Sequence, residues 1–316
     1  MTFAVAVPQN VAERLNTASA NRRWYPFSDD IINWSVPLTD EWAYVPAGHS
    51  LFSASGLLDK LEPPSRSYVE RWETTQTMRN VAHGEHLLMQ GILALLWQVD
   101  QYDPNFRYLL HEVAEECQHM AMFNNWVRIN SDIKTRDMGE TQWSKTVADF
   151  TQDLAIRLPE AFWVNVLLFE FIGDDLNQAM KGKRDENIGD DGRELHPILV
   201  QIGVAHTGEE ARHIAYARKW LQEGMGRLND DQKKEIQDLA ELGASAVINR
   251  QNLLPVKYSR QLEQYISKEE FDNNISTSPA TMAVIKQLKK LLDEFLELEI
   301  IRKQTYNKWI DDGVFN

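Results

Sequence analysis

The sequence predicts an all-α protein, on three observations. No stretch keeps the period-2 alternation of a half-buried strand, several long stretches carry apolar residues at helical spacing, and proline, glycine and capping residues bound those stretches. The chain has 316 residues, 43% apolar and 25% charged, enough for one large domain or two small ones with a substantial core.

Residues 1–62 scatter Pro26, Pro37, Pro46 and Gly48 among aromatics and read as an irregular segment that wraps the rest. Pro63, Pro64 and Ser65 open a helix to about Val99. Asp103 before Pro104 is an N-cap with proline at the first helical position, starting a second helix to about Asn130. A polar stretch, 131–142, leads to a short helix near 144–157, and Pro159 opens a strongly apolar one to about Lys181. KGKRDENIGDDGREL reads as a solvated loop. Pro197 starts the next long helix, which stops near Gly224 and Gly226. Two more follow, near 230–250 and 279–311, the last with an apolar stripe of Met282, Ile285, Leu288, Leu292, Phe295 and Leu296. The expected organisation is a wrapping segment (1–62), a helical bundle (63–226) and C-terminal helices packed on the same domain (227–316).

Composition narrows function. A net charge of -14 argues against nucleic acid and against an anionic membrane surface, because both need a cationic face. The single cysteine, Cys117, allows no internal disulfide and reads as a helix-contact residue without a role. The first residues lack the cationic start of a signal peptide, and apolar runs such as GILALLW are too short to span a bilayer. A cytoplasmic protein is expected.

Two helices repeat one pattern: Glu115-Glu116-Cys117-Gln118-His119 and Glu209-Glu210-Ala211-Arg212-His213. A glutamate three residues before a histidine is about 300° around the helix and roughly 4.5 Å along it, so both side chains leave one face and can reach one metal ion. Each pair follows a long helix with a glutamate in apolar company, Glu85 in GEHLLMQGILALLW and Glu170 in FWVNVLLFEFIG. A glutamate is rarely buried unless paired or metal-bound. His83 and His86 compete with Glu85 for the inward position. The order Glu, Glu-x-x-His, Glu, Glu-x-x-His is that of di-iron and di-manganese carboxylate bundles. Four buried carboxylates repel by several kcal/mol at an effective dielectric of about 20, and two divalent cations balance them. His206, four residues before Glu210 and seven before His213, falls with them in an arc of roughly 60° and is placed to be a seventh ligand, unless it is a satisfied core histidine.

With this third histidine, the chain resembles the non-haem di-iron N-oxygenases of the p-aminobenzoate N-oxygenase type, over roughly residues 65–225. The Glu and Glu-x-x-His frame alone is shared with ferritins, ribonucleotide reductase small subunits and desaturases; HxxxExxH is the more specific signal. The resemblance implies a ferritin-like four-helix bundle with a di-iron core and additional N- and C-terminal helices. It places Glu85, Glu116, His119, Glu170, His206, Glu210 and His213 at the family's ligand positions. It implies dioxygen-dependent oxidation of an amine nitrogen to hydroxylamine, nitroso or nitro, in natural-product biosynthesis, and suggests a homodimer.

Around the ligands, Glu115 and Glu209 either hydrogen-bond the histidines or face solvent, and Asp174, one turn after Glu170, is a similar candidate. Arg212 would neutralise these acids. Glu112 reads as a solvated or capping acid, and the tryptophans as core. Carboxylates with several imidazoles suit iron, then manganese, ahead of zinc or copper. No flavin or nicotinamide motif is visible, so electrons are expected from a separate donor or reductase. The substrate is a small-molecule amine, or an amino acid tethered to a carrier protein. A non-enzymatic ferritin-type bundle is the contrasting reading, and a radical-generating subunit a third; the latter needs a tyrosine near the metals, for which Tyr108 and Tyr216 lack a convincing inward offset.

Overall fold

In the computed structural model the described residues are 7–21, 24–52, 56–135, 142–182, 187–248, 258–277 and 279–315, with backbone alone for 142–147, 172–175, 274–277 and 279–281. The fold is all-α, as the sequence predicts, and no strand occurs among these residues. Four long helices form a ferritin-like bundle: α2 (Pro63–Leu96), α3 (Pro104–Ile129), α5 (Pro159–Lys181) and α6 (Pro197–Gly224). Each begins on a proline, whose fixed φ suits the first turn and whose missing N–H has no intrahelical partner to lose. Asp103 Oδ1 caps α3 by accepting from Asn105 N at 2.8 Å, and His196 caps α6 by accepting from Ile198 N at 3.3 Å.

The bundle closes as two tight pairs, α2 with α3 and α5 with α6, which meet more sparsely through α2–α5 and α3–α6. α5 is the most apolar helix and is buried on most sides. Ala161, Phe162, Trp163, Val164, Val166, Leu167 and Leu168 face α6, α4 (Gln142–Arg157), α7 (Asp230–Ile248) and α9 (Pro279–Glu297). α2 and α5 approach closely because two α2 glycines accept α5 rings. A Cβ on Gly84 would lie 1.8 Å from Phe169 Cζ, and one on Gly91 would lie 2.2 Å from Phe162 Cε2. Gly84 and Phe169 directly precede Glu85 and Glu170, so this contact sets the spacing of those two carboxyls.

Three elements correct the sequence reading. The expected irregular segment contains α1 (Gln9–Asn21), which packs on α3 and α6. Val11, Ala12 and Leu15 form its apolar side, and the prolines that suggested irregular chain all lie after it. A further helix, α8 (Lys268–Thr277), was not anticipated. The helix expected to run unbroken to residue 311 stops at Glu297. Glu299 takes a left-handed φ of 59°, Ile300 N bonds back to Phe295 O at 2.8 Å, and α10 (Lys303–Asp311) starts afresh. The turn buries Ile300 and Ile301, apolar area that a straight helix would leave in water.

The charged stretch after α5 is also less solvated than its composition suggests. Arg193 donates to Trp42 O at 2.6 Å and to Glu70 at 2.8 Å, tying residues 187–195 to the N-terminal segment, where Ala43 bridges Leu195.

Candidate metal centre

The four bundle helices bring the seven predicted residues together. Glu85 comes from α2, Glu116 and His119 from α3, Glu170 from α5, and His206, Glu210 and His213 from α6; none is more than 5% exposed. They fall into three overlapping groups: Glu85, His119, His206 and Glu210; Glu116, Glu210 and His213; and Glu85, Glu116 and Glu170. Within each group the potential ligand atoms lie within 4.8 Å of one another. Glu85 is the inward residue of its turn, while His83 and His86 are only half-buried.

The nitrogens that face the cluster are defined by its distances. His119 Nδ1 lies 2.8 Å from Glu116 Oε2 and 3.1 Å from Glu210 Oε1. His213 Nδ1 lies 2.8 Å from Glu116 Oε1 and 3.2 Å from Glu210 Oε2, and His206 Nε2 lies 3.1 Å from Glu210 Oε1. The outer nitrogens of the two Glu-x-x-His histidines are held across the bundle. His119 Nε2 meets Glu209 Oε2 of α6 at 2.9 Å, and His213 Nε2 meets Glu115 Oε2 of α3 at 2.9 Å. Arg212 serves both acids, donating to Glu115 Oε1 at 2.8 Å and lying 3.6 Å from Glu209 Oε1. The alternative left open for Glu115 and Glu209 thus resolves toward the histidines. The side chain of Asp174 lies outside the described residues.

Three contributors escaped the sequence reading. Ser19 Oγ of α1 accepts from Arg212 Nε at 3.1 Å, and Trp24 stacks over His119 with ring centroids 6.2 Å apart; both lie in the stretch read as irregular. Glu112, read as solvated or capping, is fully buried, and neither carboxyl oxygen has a hydrogen-bond partner among the described residues. Its signal was its register: four residues before Glu116, it shares the inward face of α3. Tyr108 and Tyr216 are fully buried, their rings 4.5 Å apart, and the charge of Glu112 acts on both. Cys117, by contrast, is exposed, its Sγ 3.4 Å from Met89 Sδ of α2.

Electrostatics divide the cluster into groups that favour a proton and groups that favour a negative charge. Burial, then the charges of Glu116 and Glu210, hold the Glu85 carboxyl well above the usual carboxylate range. Burial, then Glu210 and Glu85, do the same to Glu170. Burial and Glu210 also oppose ionisation of Glu116, but the His213 and His119 charges outweigh them and pull it to about 2. Burial likewise opposes ionisation of Glu210, and His213 and His206 hold it well below its ordinary value. His119 and His213 stay well above theirs, the surrounding carboxylates overcoming burial. Protonation is therefore favoured at Glu85, Glu170, His119 and His213, the groups whose charge two divalent cations would otherwise balance.

The donor set fits a metal. Glu85 Oε2 and Glu170 Oε1 are buried oxygens without hydrogen-bond partners among the described residues, which a buried carboxyl tolerates poorly unless a ligand completes it. Carboxylate oxygens and imidazole nitrogens suit iron or manganese, and the acids behind two of the imidazoles are the usual support of metal-bound histidines.

Residues 6–297 match the family described as p-aminobenzoate N-oxygenase AurF. The chain belongs to this family. It is a family of di-iron oxygenases, and the buried glutamate–histidine cluster is where this chain could hold its metal. Among curated proteins, uncharacterised proteins of Mycobacterium bovis and Mycobacterium tuberculosis are similar, each 29% identical over 230 residues, or 69% of this chain. The match spans 62% of the length of those relatives. No solved structure matches the chain. No helix among the described residues is long and apolar enough to cross a membrane.

Proposed function

We propose that this protein is a non-haem di-iron oxygenase that uses dioxygen to oxidise an amine nitrogen, with Glu85, Glu116, His119, Glu170, His206, Glu210 and His213 as the metal ligands. The observation that carries it is the convergence of all seven on one buried cluster whose members lie within 4.8 Å of one another in each group, in a chain of the N-oxygenase family. Two iron ions would supply the redox chemistry that activates dioxygen. Glu85, Glu116, Glu170 and Glu210 would neutralise them, and Glu209 and Glu115 would hold the His119 and His213 rings in the tautomer that leaves Nδ1 free to bind. The bundle keeps water from the cluster, whose ligands are all buried. Electrons would come from an external donor.

The substrate is best read as an amine without a free acid group. The buried guanidiniums among the described residues, Arg66 and Arg212, are both engaged by carboxylates, which leaves neither to anchor a free carboxylate. An amine whose acid is masked, as in an amino acid tethered to a carrier protein, fits this better than free p-aminobenzoate.

The test is iron content together with dioxygen-dependent, donor-dependent conversion of p-aminobenzoate, its amide and its ester. About two irons per chain and turnover of the masked amines ahead of the free acid are expected. A folded protein that takes up no iron, or holds iron and consumes no dioxygen with any amine, would overturn the assignment.

A further inference from the structure

Reducing dioxygen consumes protons, one for each electron, and Glu85, Glu116, His119 and His213 are all 0% exposed. Protons must therefore travel through the protein.

One route stands out on α3. Tyr108, Glu112 and Glu116 follow at four-residue spacing, which sets them on one face of α3, with about 6 Å of axial rise between successive residues, a spacing that a bridging water can serve. Tyr108 and Glu112 are both fully buried, and the Tyr108 hydroxyl and both Glu112 oxygens have no hydrogen-bond partner among the described residues. A carboxyl and a hydroxyl buried in this way are normally satisfied by a buried water or a ligand. The far end of the line leads outward. Tyr216 packs on Tyr108 and donates to Asn105 Oδ1 at 3.0 Å. Asn105 Nδ2 donates to Asp103 Oδ1 at 2.7 Å, and the half-buried Asp103 accepts from Gln9 Nε2 at the surface, at 3.2 Å.

The same groups sense one another's charge. After burial, Glu112 acts most strongly on both tyrosines, and Asp103 acts on Tyr216. His213, Glu116 and Glu210 act on Glu112 itself, whose carboxyl burial lifts to about 8.

We propose that Glu112 and Tyr108 form a proton path that enters beside Asp103 at the start of α3 and delivers protons to the metal site between Glu116 and His213. This rests on the oxygenase reading. The Glu112 O–H gives its proton to the oxygen being reduced, and Tyr108 O–H returns one to Glu112 through the intervening water. Tyr108 is then reprotonated by water that reaches it alongside Tyr216 from the Asp103 end, the Asn105 amide holding Tyr216 without relaying the proton. Only O–H bonds break and form, and the electrons come from the external donor of that reading. Tyr216, anchored by Asn105, is a positioning residue for the Tyr108 ring.

The test uses the full chain, as wild type and as Glu112→Gln, Glu112→Leu, Glu112→Asp and Tyr108→Phe. Ferrous-loaded protein is mixed with dioxygen in H2O and D2O, and ferric absorbance is followed. Separately, manganous ion is added to metal-free protein and proton release is timed with an indicator dye. Glu112→Gln and Glu112→Leu should slow iron oxidation by roughly 10- to 100-fold and raise its solvent isotope effect, with metal content unchanged. Glu112→Asp should recover part of the rate, proton release should slow in the same order, and Tyr108→Phe should fall between. Glu112→Gln fills the space of glutamate but cannot pass a proton, so wild-type rates for it in both measurements would overturn the path while leaving the oxygenase reading intact. Loss of metal from Glu112→Gln would also overturn it, making Glu112 a ligand instead. A wild-type protein that binds no metal or ignores dioxygen would overturn both.

Discussion

His213 on α6 is held by Glu115 on α3, Nε2 to Oε2 at 2.9 Å, and His119 on α3 is held in the opposite sense by Glu209 on α6 at 2.9 Å. Each Glu-x-x-His helix therefore supports the other's histidine, with Arg212 tying the two acids to α1 through Ser19. Replacing either acid by alanine should weaken metal binding about 10- to 100-fold, read by metal titration against a competing chelator. The double variant should cost less than the sum of both if the two contacts act as one unit. Unchanged affinity in both single variants would refute a supporting role.

Metal loading should release protons. Glu85, Glu170, His119 and His213 all hold protons more tightly than the free groups do, and ligands bind deprotonated. Near neutral pH, manganous ion should displace protons from those residues. Affinity should fall as pH falls, because protons then compete more strongly. Calorimetric titrations in buffers of different ionisation enthalpy give the count; release of none would show that the cluster is not protonated as its charges require.

Glu73 gives a stability signature apart from the metal. Its buried carboxyl accepts from Ser50 Oγ at 2.8 Å and Leu51 N at 2.7 Å, yet burial lifts it to about 8. A carboxyl that holds its proton more tightly folded than unfolded stabilises the fold fully below the ordinary carboxyl range, and that stability is lost as pH rises toward 8. At constant metal content, Tm should decline over that window in the wild type and less steeply in Glu73→Gln. Parallel curves would remove Glu73 as the cause.

Gly84→Ala should destabilise the bundle by about 1–3 kcal/mol or more, since the new Cβ would lie 1.8 Å from Phe169 Cζ. It should also loosen metal binding by moving Glu85 from Glu170. Gly226→Ala, with nothing within 4 Å of the added carbon, is the control and should be near neutral. Thermal melts check the first effect, metal titration the second, and Phe169→Leu in the same chain should restore part of both.

Much of the candidate site was legible because helix geometry is local. Glu116 with His119, and His206 with Glu210 and His213, share faces by spacing alone, and Glu85 and Glu170 announced themselves as acids within apolar runs. Residues recognised through another element were not legible. Ser19 and Trp24 matter because α1 and the chain after it fold over α3 and α6, and Glu112 looked like any surface acid until the bundle closed around it. The break at Glu299 was hidden for a similar reason, since only the core decides that Ile300 and Ile301 should turn inward.

Periodicity, capping residues and ligand spacing, all properties of a few consecutive turns, settled by themselves that this chain is helical and which side chains share a face. Which carboxylate supports which histidine, which carboxyls hold their protons more tightly, and that Tyr108 and Glu112 are buried were decided only when the helices packed. Those outcomes depend on distances of about 3 Å between residues far apart in the chain and on the exclusion of water around them, and neither exists until the bundle is closed.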